Sequence, residues 1–318
     1  MTVINSLALA TLALPAAFLA ASHLKTRRLA RQAEALVPSV GQLQPVPGGM
    51  IHYVEMGPAE APPLVLIHGL SGQLQHFTYA LADLLAADFR LIILDRPGCG
   101  YSSRDHDRLA TLSEQARMIQ AFLDLRNVEQ PILCGHSLGG AIALAMALDA
   151  PQKIRGLALL APLTHPVADA GSFKGLIVQS PWMRRLMAQT VAIPAAQRTA
   201  AEVLQQVFAP SPCPEDFLIR AGGALGLRPK SFVTASADAT LASGGIAVQS
   251  ARYGPELKTP GAVLFGAADA VLSHQLNGTS MAPYGLPCQI EPGQGHMLPI
   301  TAPTLCNQFI RDTAAELP

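Results

Sequence analysis

Charged residues are scarce in this chain of 318 residues, since Asp, Glu, Lys and Arg together make up 14% of it. The 22 basic residues balance the 22 acidic ones, which gives a formal net charge of zero. A nucleic-acid-binding protein carries an excess of basic side chains on one face, and the balanced charge does not provide it. We therefore expect no nucleic-acid partner.

Cysteine pairs and metal-binding spacings are also missing. The five cysteines form no Cys-x-x-Cys pair, and no His-Glu-x-x-His pattern occurs. This spacing argues against a disulfide scaffold and against a zinc site. A phosphate-binding loop is absent too, because "RPGCGYSS" holds only a Gly-x-Gly fragment without the third glycine. We expect no metal and no cofactor.

The first 24 residues contain no charged side chain, and "VINSLALATLALPAAFLAAS" is long enough to cross a bilayer as a helix. Four basic residues follow it directly: Lys25, Arg27, Arg28 and Arg31. A cleavable signal peptide carries its cations in front of the apolar stretch instead. We expect residues 1–24 to form an N-terminal membrane anchor, with the following domain in the cytoplasm. The alternative is a signal peptide that is cleaved near Ser22, followed by export.

After a linker at residues 25–49, short apolar runs alternate with helical patterns, which is typical of a parallel sheet flanked by helices. The alternation stops at about position 163 and resumes at about position 256. The stretch between lacks strand-like runs and has helical spacing in "GLIVQSPWMRRLMAQ" and "AAEVLQQVF". We predict an α/β core formed by residues 50–163 and 256–318, with a helical cap inserted at residues 164–255.

One serine stands between two glycines in "CGHSLGG", after an apolar run and before a helix-like one. A nucleophile on a sharp strand-to-helix turn needs close backbone approach on both sides, which Gly135 and Gly139 allow. Such a turn exposes the hydroxyl of Ser137 and leaves the amide of Leu138 free to donate to an oxyanion. The alternative is a tight turn in which the serine only caps the helix.

A serine nucleophile requires a base and a carboxylate that orients it. His296, in "GQGHMLP", follows the last predicted strand at the same sheet edge as Ser137. Asp269, in "LFGAADAVL", follows the penultimate strand and gives the chain order Ser, Asp, His. Three other carboxylates remain as alternatives: Asp95, Glu291 and Asp169. The Arg-Pro-Gly setting of Asp95 favours a structural loop or a salt bridge.

A second oxyanion donor is expected in "LIHGLSG", where a strand ends at His68 and Gly69. Leu70 offers its backbone amide there. We expect the side chain of His68 to bond neighbouring backbone and to hold this loop.

Five stretches taken together, "LIHGLSG", "LDRPGCGYSS", "CGHSLGG", "LFGAADAVL" and "GQGHMLP", resemble the ordered motifs of the α/β-hydrolase fold superfamily. The resemblance spans roughly residues 50–318. It implies a mostly parallel eight-stranded sheet with helices on both faces and an inserted cap that acts as a lid. For the site it implies the following residues: Ser137, Asp269 and His296 as the triad, and Leu70 with Leu138 as oxyanion donors. One departure is Phe77, where relatives often carry tryptophan.

These features favour a serine hydrolase of carboxylic esters, with a small-molecule acyl substrate and an acyl-enzyme intermediate. The apolar cap and the adjacent apolar N-terminus favour a lipophilic acyl group. On the same triad, a carbon–carbon bond hydrolase, a thioesterase, a perhydrolase or an acyltransferase remains open, because one fold hosts many reactions. A non-catalytic binding protein is disfavoured, since all three triad residues are present. The sequence leaves the oligomeric state open.

Overall fold

The computed structural model describes residues 2–167 and 171–318; of residues 2–13, 15 and 172 it describes the secondary structure only. One mixed sheet forms its centre, with the strand order β1-β2-β4-β3-β6-β7-β8-β9. The strands are β1 (Gln42–Val46), β2 (Gly49–Met56), β3 (Pro63–Ile67), β4 (Arg90–Leu94), β5 (Ser103–Arg104), β6 (Ile132–Gly135), β7 (Gly156–Leu160), β8 (Gly261–Gly266) and β9 (Cys288–Glu291).

Eight strands thus lie side by side, the number that the resemblance implies. Within the described ranges a ninth, the two-residue β5, pairs with β2 beside this path. The pairings of β1 and β4 with β2 are antiparallel, whereas those from β4 through β3, β6, β7 and β8 to β9 are parallel. The predicted α/β fold is confirmed, with a mostly parallel sheet.

The central strands form because their apolar runs are buried on both faces. Every residue of Leu64–Ile67 in β3 and of Leu91–Leu94 in β4 has 0% exposure. Continuous apolar runs of this kind are typical of parallel strands that are covered by helices on both sides. Because β3, β6, β7, β8 and β9 run parallel, the carboxyl ends of β3, β6, β8 and β9 lie along one edge of the sheet.

Helices surround this sheet. They are α1 (Thr2–Leu36), α2 (Gln75–Thr78), α3 (Leu81–Leu85), α4 (Leu112–Leu125), α5 (Leu138–Asp149), α6 (Pro181–Gln189), α7 (Ala192–Phe208), α8 (Phe217–Arg220), α9 (Pro229–Ser250), α10 (Tyr253–Glu256), α11 (His274–Asn277), α12 (Leu298–Thr301) and α13 (Pro303–Glu316). Short 3-10 helices lie at Asp107–Ala110, Pro151–Lys153, Gly171–Leu176, Gly223–Leu227 and Thr279–Tyr284. Helices α6 to α10 all follow β7 and precede β8, in the stretch expected to form the cap.

Residues 25–49, expected as a linker, have regular structure: α1 continues to Leu36, and β1 pairs with β2. Apolar residues at a spacing of four explain the helix, because Leu29, Ala33 and Val37 lie on one face and are buried. Ala33 and Val37 pack against Ala224 and Leu225, which follow α8. The N-terminal helix is thereby attached to the chain that precedes α9.

The hydroxyls of Ser22 and Thr26 on α1 donate to the carbonyl oxygen of Thr190, each at 2.9 Å, and thus fasten α1 to the end of α6. Among the described residues, the helices all lack the combination of length and apolarity that a membrane span requires. The expected anchor, residues 1–24, lies largely outside the residues whose side chains are described.

Candidate active site

Ser137 lies on a sharp turn between β6 and α5. Its backbone angles are φ 54° and ψ −121°, a region that residues other than glycine rarely adopt. The hydrogen bonds that hold this turn include those from Ser137 N to Leu160 O at 3.1 Å and from Leu163 N to Ser137 O at 2.9 Å. The side chain of Ser137 makes no capping bond to α5, so the alternative of a helix-capping serine does not describe this geometry.

Gly135 and Gly139 permit the turn because they allow main chains to touch. A Cβ atom on Gly135 would lie 2.6 Å from the carbonyl oxygen of Gly139. A Cβ atom on Gly139 would lie 2.0 Å from the carbonyl oxygen of Ile67 in β3. Any side chain at either position would therefore displace the strand or the helix that carries Ser137.

His296 and Asp269 form a buried pair. The ring Nδ1 of His296 lies 2.8 Å from Oδ2 of Asp269, whose side chain has 0% exposure. The other carboxylate oxygen accepts the backbone amides of Val271 and Leu272, at 2.8 and 2.9 Å. A carboxylate in this position makes Nδ1 the protonated nitrogen, which leaves Nε2 of His296 able to accept a proton.

The histidine loop packs directly on the serine turn. His136, which precedes Ser137, donates from Nε2 to the carbonyl oxygen of His296 at 3.0 Å, and the two rings lie 4.9 Å apart. Burial and the nearby His296 hold the pKa of His136 well below its usual value, which fits a neutral donor. In the described residues no hydrogen bond joins the hydroxyl of Ser137 to the imidazole of His296. Such bonds are often long in ligand-free enzymes and tighten with substrate.

Asp95, one of the alternative carboxylates, has other partners. Asp95 accepts Nδ1 of His52 at 2.7 Å, and it also accepts the amides of Leu74 and Tyr101, both at 2.8 Å. Although burial acts to raise it, the bond from His52 and the neighbouring His68 hold the pKa of Asp95 below its usual value. These contacts make Asp95 a structural residue of its loop. Asp169 lies outside the described residues.

The loop expected to supply the second oxyanion donor lies against the nucleophile. A Cβ atom on Gly69 would lie 2.9 Å from Cβ of Ser137. The amides of Leu70 and Leu138 donate to no acceptor in the described part of the chain. Both amides therefore lack a protein acceptor in the described part of the chain, as a donor to a developing oxyanion must.

His68 holds this loop, as expected. Its Nδ1 donates to the carbonyl oxygen of Gly69 at 2.9 Å, and its Nε2 accepts the amide of Arg96 at 3.0 Å. Burial and the charge of Arg96 keep the pKa of His68 well below its usual value. The ring is therefore neutral, and each nitrogen has a fixed partner.

The sequence reasoning did not find Arg96 and Asp238 as part of the site. Arg96 is fully buried and donates to four acceptors: His68 O at 2.9 Å, Gly69 O at 3.0 Å, Gln115 Oε1 at 2.6 Å and Asp238 Oδ2 at 2.9 Å. Asp238, on α9, also has 0% exposure. One signal was available, because Asp238 is the single charged residue in "FVTASADATLASGG", and a buried cation requires such a partner.

A cavity of about 590 Å³ lies between α7 and the chain that follows it, and its lining is mostly apolar. It is lined by Ala201, Leu204, Gln205, Ala209, Pro210, Ser211, Pro212 and Cys213, so neither Ser137 nor His296 reaches it. The carbonyl oxygen of Ala209 lies against Gly295, where a Cβ atom would be 2.0 Å from it. The cavity is thus next to the histidine loop.

Within residues 2–167 and 171–318, no cluster of His, Cys, Asp or Glu is arranged to hold a metal ion.

A sequence model of the alpha/beta hydrolase fold matches residues 62–239, more than half of the chain. A relative in Pseudomonas putida, the dihydrolipoyllysine-residue acetyltransferase component of the acetoin cleaving system, is 36% identical over 132 residues, 42% of this chain and 34% of that protein. A second relative, the pimeloyl-[acyl-carrier protein] methyl ester esterase of Vibrio parahaemolyticus, is 29% identical over 185 residues, 53% of this chain and 68% of that protein.

Among solved structures, an alpha/beta hydrolase fold protein from Burkholderia ambifaria superposes with a TM-score of 0.70 at 23% identity. The superposition covers 85% of this chain and 97% of that one. The chain spans only about a third of the length of the P. putida relative.

Proposed function

This chain belongs to the alpha/beta hydrolase fold family, and on that premise we propose that it hydrolyses carboxylic esters of small-molecule substrates. Ser137 attacks the acyl carbon, while His296 takes its proton and returns it to the leaving alcohol. Asp269 keeps the imidazole in the required tautomer, and the amides of Leu70 and Leu138 stabilise the oxyanion. Water then releases the acyl group from Ser137.

One observation carries this proposal: a histidine whose Nδ1 is fixed by a buried carboxylate packs against the strained serine turn. A solvated loop histidine would have neither the carboxylate nor the ring contact with His136. The esterase of V. parahaemolyticus supports an ester as the substrate. Acyl transfer is the second candidate, because the P. putida relative is an acetyltransferase component.

We also propose that residues 50–163 and 256–318 form the catalytic core and that residues 164–255 form its cap. Cap and core pack together beside His296, where Phe208 and Phe217 lie in one apolar cluster with Met297 and Ile300. The apolar side chains at this boundary support a lipophilic acyl group as part of the substrate.

A graded series of p-nitrophenyl esters, measured beside a thioester and a β-diketone, tests the substrate class. Ser137→Ala should lower kcat for the best ester by at least about a thousandfold, since only the oxyanion donors and binding then remain. Near-normal turnover by this variant would reject Ser137 as the nucleophile. A higher rate on the thioester or the β-diketone would show that this compound, and not the ester, represents the substrate class.

Labelling with a fluorophosphonate provides an independent test of the base. Ser137 should react in the native protein, and His296→Ala should slow the labelling by at least about a hundredfold because the hydroxyl loses its proton acceptor. Equal labelling of both proteins would mean that another group serves as base.

A further inference from the structure

The peptide that joins Gly69 to Leu70 has its carbonyl group tied down. The Gly69 oxygen accepts three donors: Nδ1 of His68 at 2.9 Å, Nη2 of Arg96 at 3.0 Å and the amide of Gly72 at 3.2 Å. A peptide group is planar and trans, so its N–H points opposite to its C=O. Whatever fixes the Gly69 carbonyl therefore also fixes the direction of the Leu70 amide.

The preceding peptide is fixed in the same way. Nε of Arg96 donates to the carbonyl oxygen of His68 at 2.9 Å. One planar guanidinium thus holds two successive carbonyl groups of the loop, and its rigid fork suits this task better than the single ammonium of lysine. Rotation of the Gly69–Leu70 peptide would remove the acceptor from Nη2 of Arg96 and leave a buried donor unpaired.

The guanidinium of Arg96 is itself held in place by a carboxylate of the proposed cap. Nη1 of Arg96 donates to Oδ2 of Asp238, which lies on α9, and to Oε1 of Gln115 on α4. Arg96 and Asp238 both have side chains with 0% exposure, and a buried cation is stable only beside such a carboxylate. Asp238 also binds Arg104 through its other oxygen, but Arg104 contacts Pro97 and Thr234 and makes no bond to the loop of Gly69.

We propose that Arg96, held in place by Asp238 of the cap helix α9, is a positioning residue that aims the Leu70 amide into the oxyanion hole. The catalytic half of this proposal rests on the proposed function, since it assigns a role within the same site. Through this contact the cap orients one of the donors that stabilise the transition state. The structural half, the orientation of the Gly69–Leu70 peptide, stands independently of the reaction.

Arg96→Lys tests the proposal, and Arg104→Lys is the matched control, because it perturbs the same carboxylate but spares the loop. Arg96→Lys should lower kcat for an ester about tenfold or more, with KM changed by less than about threefold, because the loss falls on the transition state. Arg104→Lys should leave both constants within about threefold of the native values. Equal effects of the two variants on kcat would overturn the catalytic half.

The hydrogen-exchange rate of the Gly72 amide reports the conformation of the Gly69 loop without any substrate. This amide donates to the Gly69 carbonyl, so its exchange should become at least about tenfold faster in Arg96→Lys and stay near the native rate in Arg104→Lys. Native exchange at Gly72 in Arg96→Lys would overturn the positioning role. If the native protein hydrolyses no ester, the proposed function fails while the exchange comparison still decides the structural half.

A second variant is available if Arg96→Lys does not fold. Asp238→Asn keeps the shape and one acceptor oxygen but removes the charge that holds Arg96. It should accelerate exchange at Gly72 more than Arg104→Lys does. Exchange equal to that of Arg104→Lys would show that the cap carboxylate does not act on the loop.

Discussion

Two histidine–aspartate pairs of nearly equal geometry occur among the described residues, and their second ring nitrogens distinguish them. Nδ1 of His52 is 2.7 Å from Asp95, and its Nε2 contacts the hydroxyl of Ser39 and the carbonyl oxygen of Val40. Nδ1 of His296 is 2.8 Å from Asp269, but its Nε2 has no hydrogen-bond partner among the described residues. Of these two rings, only that of His296 therefore has a nitrogen free to accept a proton.

Substitution of the two aspartates should separate their roles. Asp269→Asn should lower kcat on the order of a thousandfold or more, because an amide no longer fixes the imidazole tautomer or stabilises its protonated form. Its thermal midpoint should change little, since the Asn oxygen can still accept the amides of Val271 and Leu272. Rates on the best p-nitrophenyl ester and a calorimetric scan provide the measurement.

Asp95→Asn should show the opposite pattern. It weakens three buried hydrogen bonds, so the free energy of unfolding should fall by about 1–3 kcal/mol while the folded fraction keeps most of its kcat. A larger kcat loss in Asp95→Asn than in Asp269→Asn would contradict the assignment of the two pairs.

At the residue scale, the sequence alone placed Ser137, Asp269 and His296 at one edge of the sheet, because each follows a predicted strand. It did not reveal Arg96 as a loop residue, since its partner Asp238 lies 142 positions further along the chain. Local spacing carries no information about such a pair. Only the packing of α9 on the core brings the two together.

At the element scale, the strands of the core were predictable and α9 was not. The core strands are continuous runs of branched and leucine residues, which stand out from their surroundings. Helix α9 consists largely of Ala, Ser, Thr and Gly, including Gly244 and Gly245, so it shows no apolar stripe. Helix α9 is stabilised instead by its packing on neighbouring elements, including α4 and α6. Strand β1 was missed for a related reason, because its glutamines and proline read as a linker.

Two glycines on helices should respond to alanine in opposite ways. Gly139→Ala places a Cβ atom 2.0 Å from the Ile67 carbonyl, so it should lower the free energy of unfolding by at least about 2 kcal/mol and kcat about a hundredfold. Gly244→Ala on α9 meets nothing within 4 Å and should stabilise the protein by about 0.5–1 kcal/mol. Urea denaturation with rate measurements on both variants checks this; tolerance of Gly139→Ala would refute the close contact.

At the scale of the whole molecule, three buried histidines link stability to pH. The pKa of His76 is lowered to about 4, because burial outweighs the attraction of Asp95. The pKa values of His68 and His136 are likewise well below 6.5, and burial is the largest cause. In the unfolded chain these residues take up protons near pH 6.5, whereas the folded protein excludes them. Unfolding therefore binds protons in this range, and stability falls as the pH decreases.

Denaturant titrations between pH 6.5 and pH 4.5 should show this dependence. Each of the three histidines contributes up to about 1.4 kcal/mol per pH unit, so the slope should grow below pH 6.5 towards a limit of roughly 4 kcal/mol per unit. The contribution of His76 ends near pH 4, where the folded protein also becomes protonated. His76→Gln should reduce the slope by about a third. An unchanged slope in that variant would show that His76 takes up its proton in the folded state.

The contact between His136 and His296 joins positions 160 residues apart, and the whole of the proposed cap lies between them in the chain. During translation, Ser137 and the loop of Gly69 leave the ribosome long before His296 does. A nascent chain can therefore begin to bury its central strands while it remains chemically inert. On the proposed mechanism, activity requires the imidazole of His296, so it arises only after the chain that follows β9 has been made.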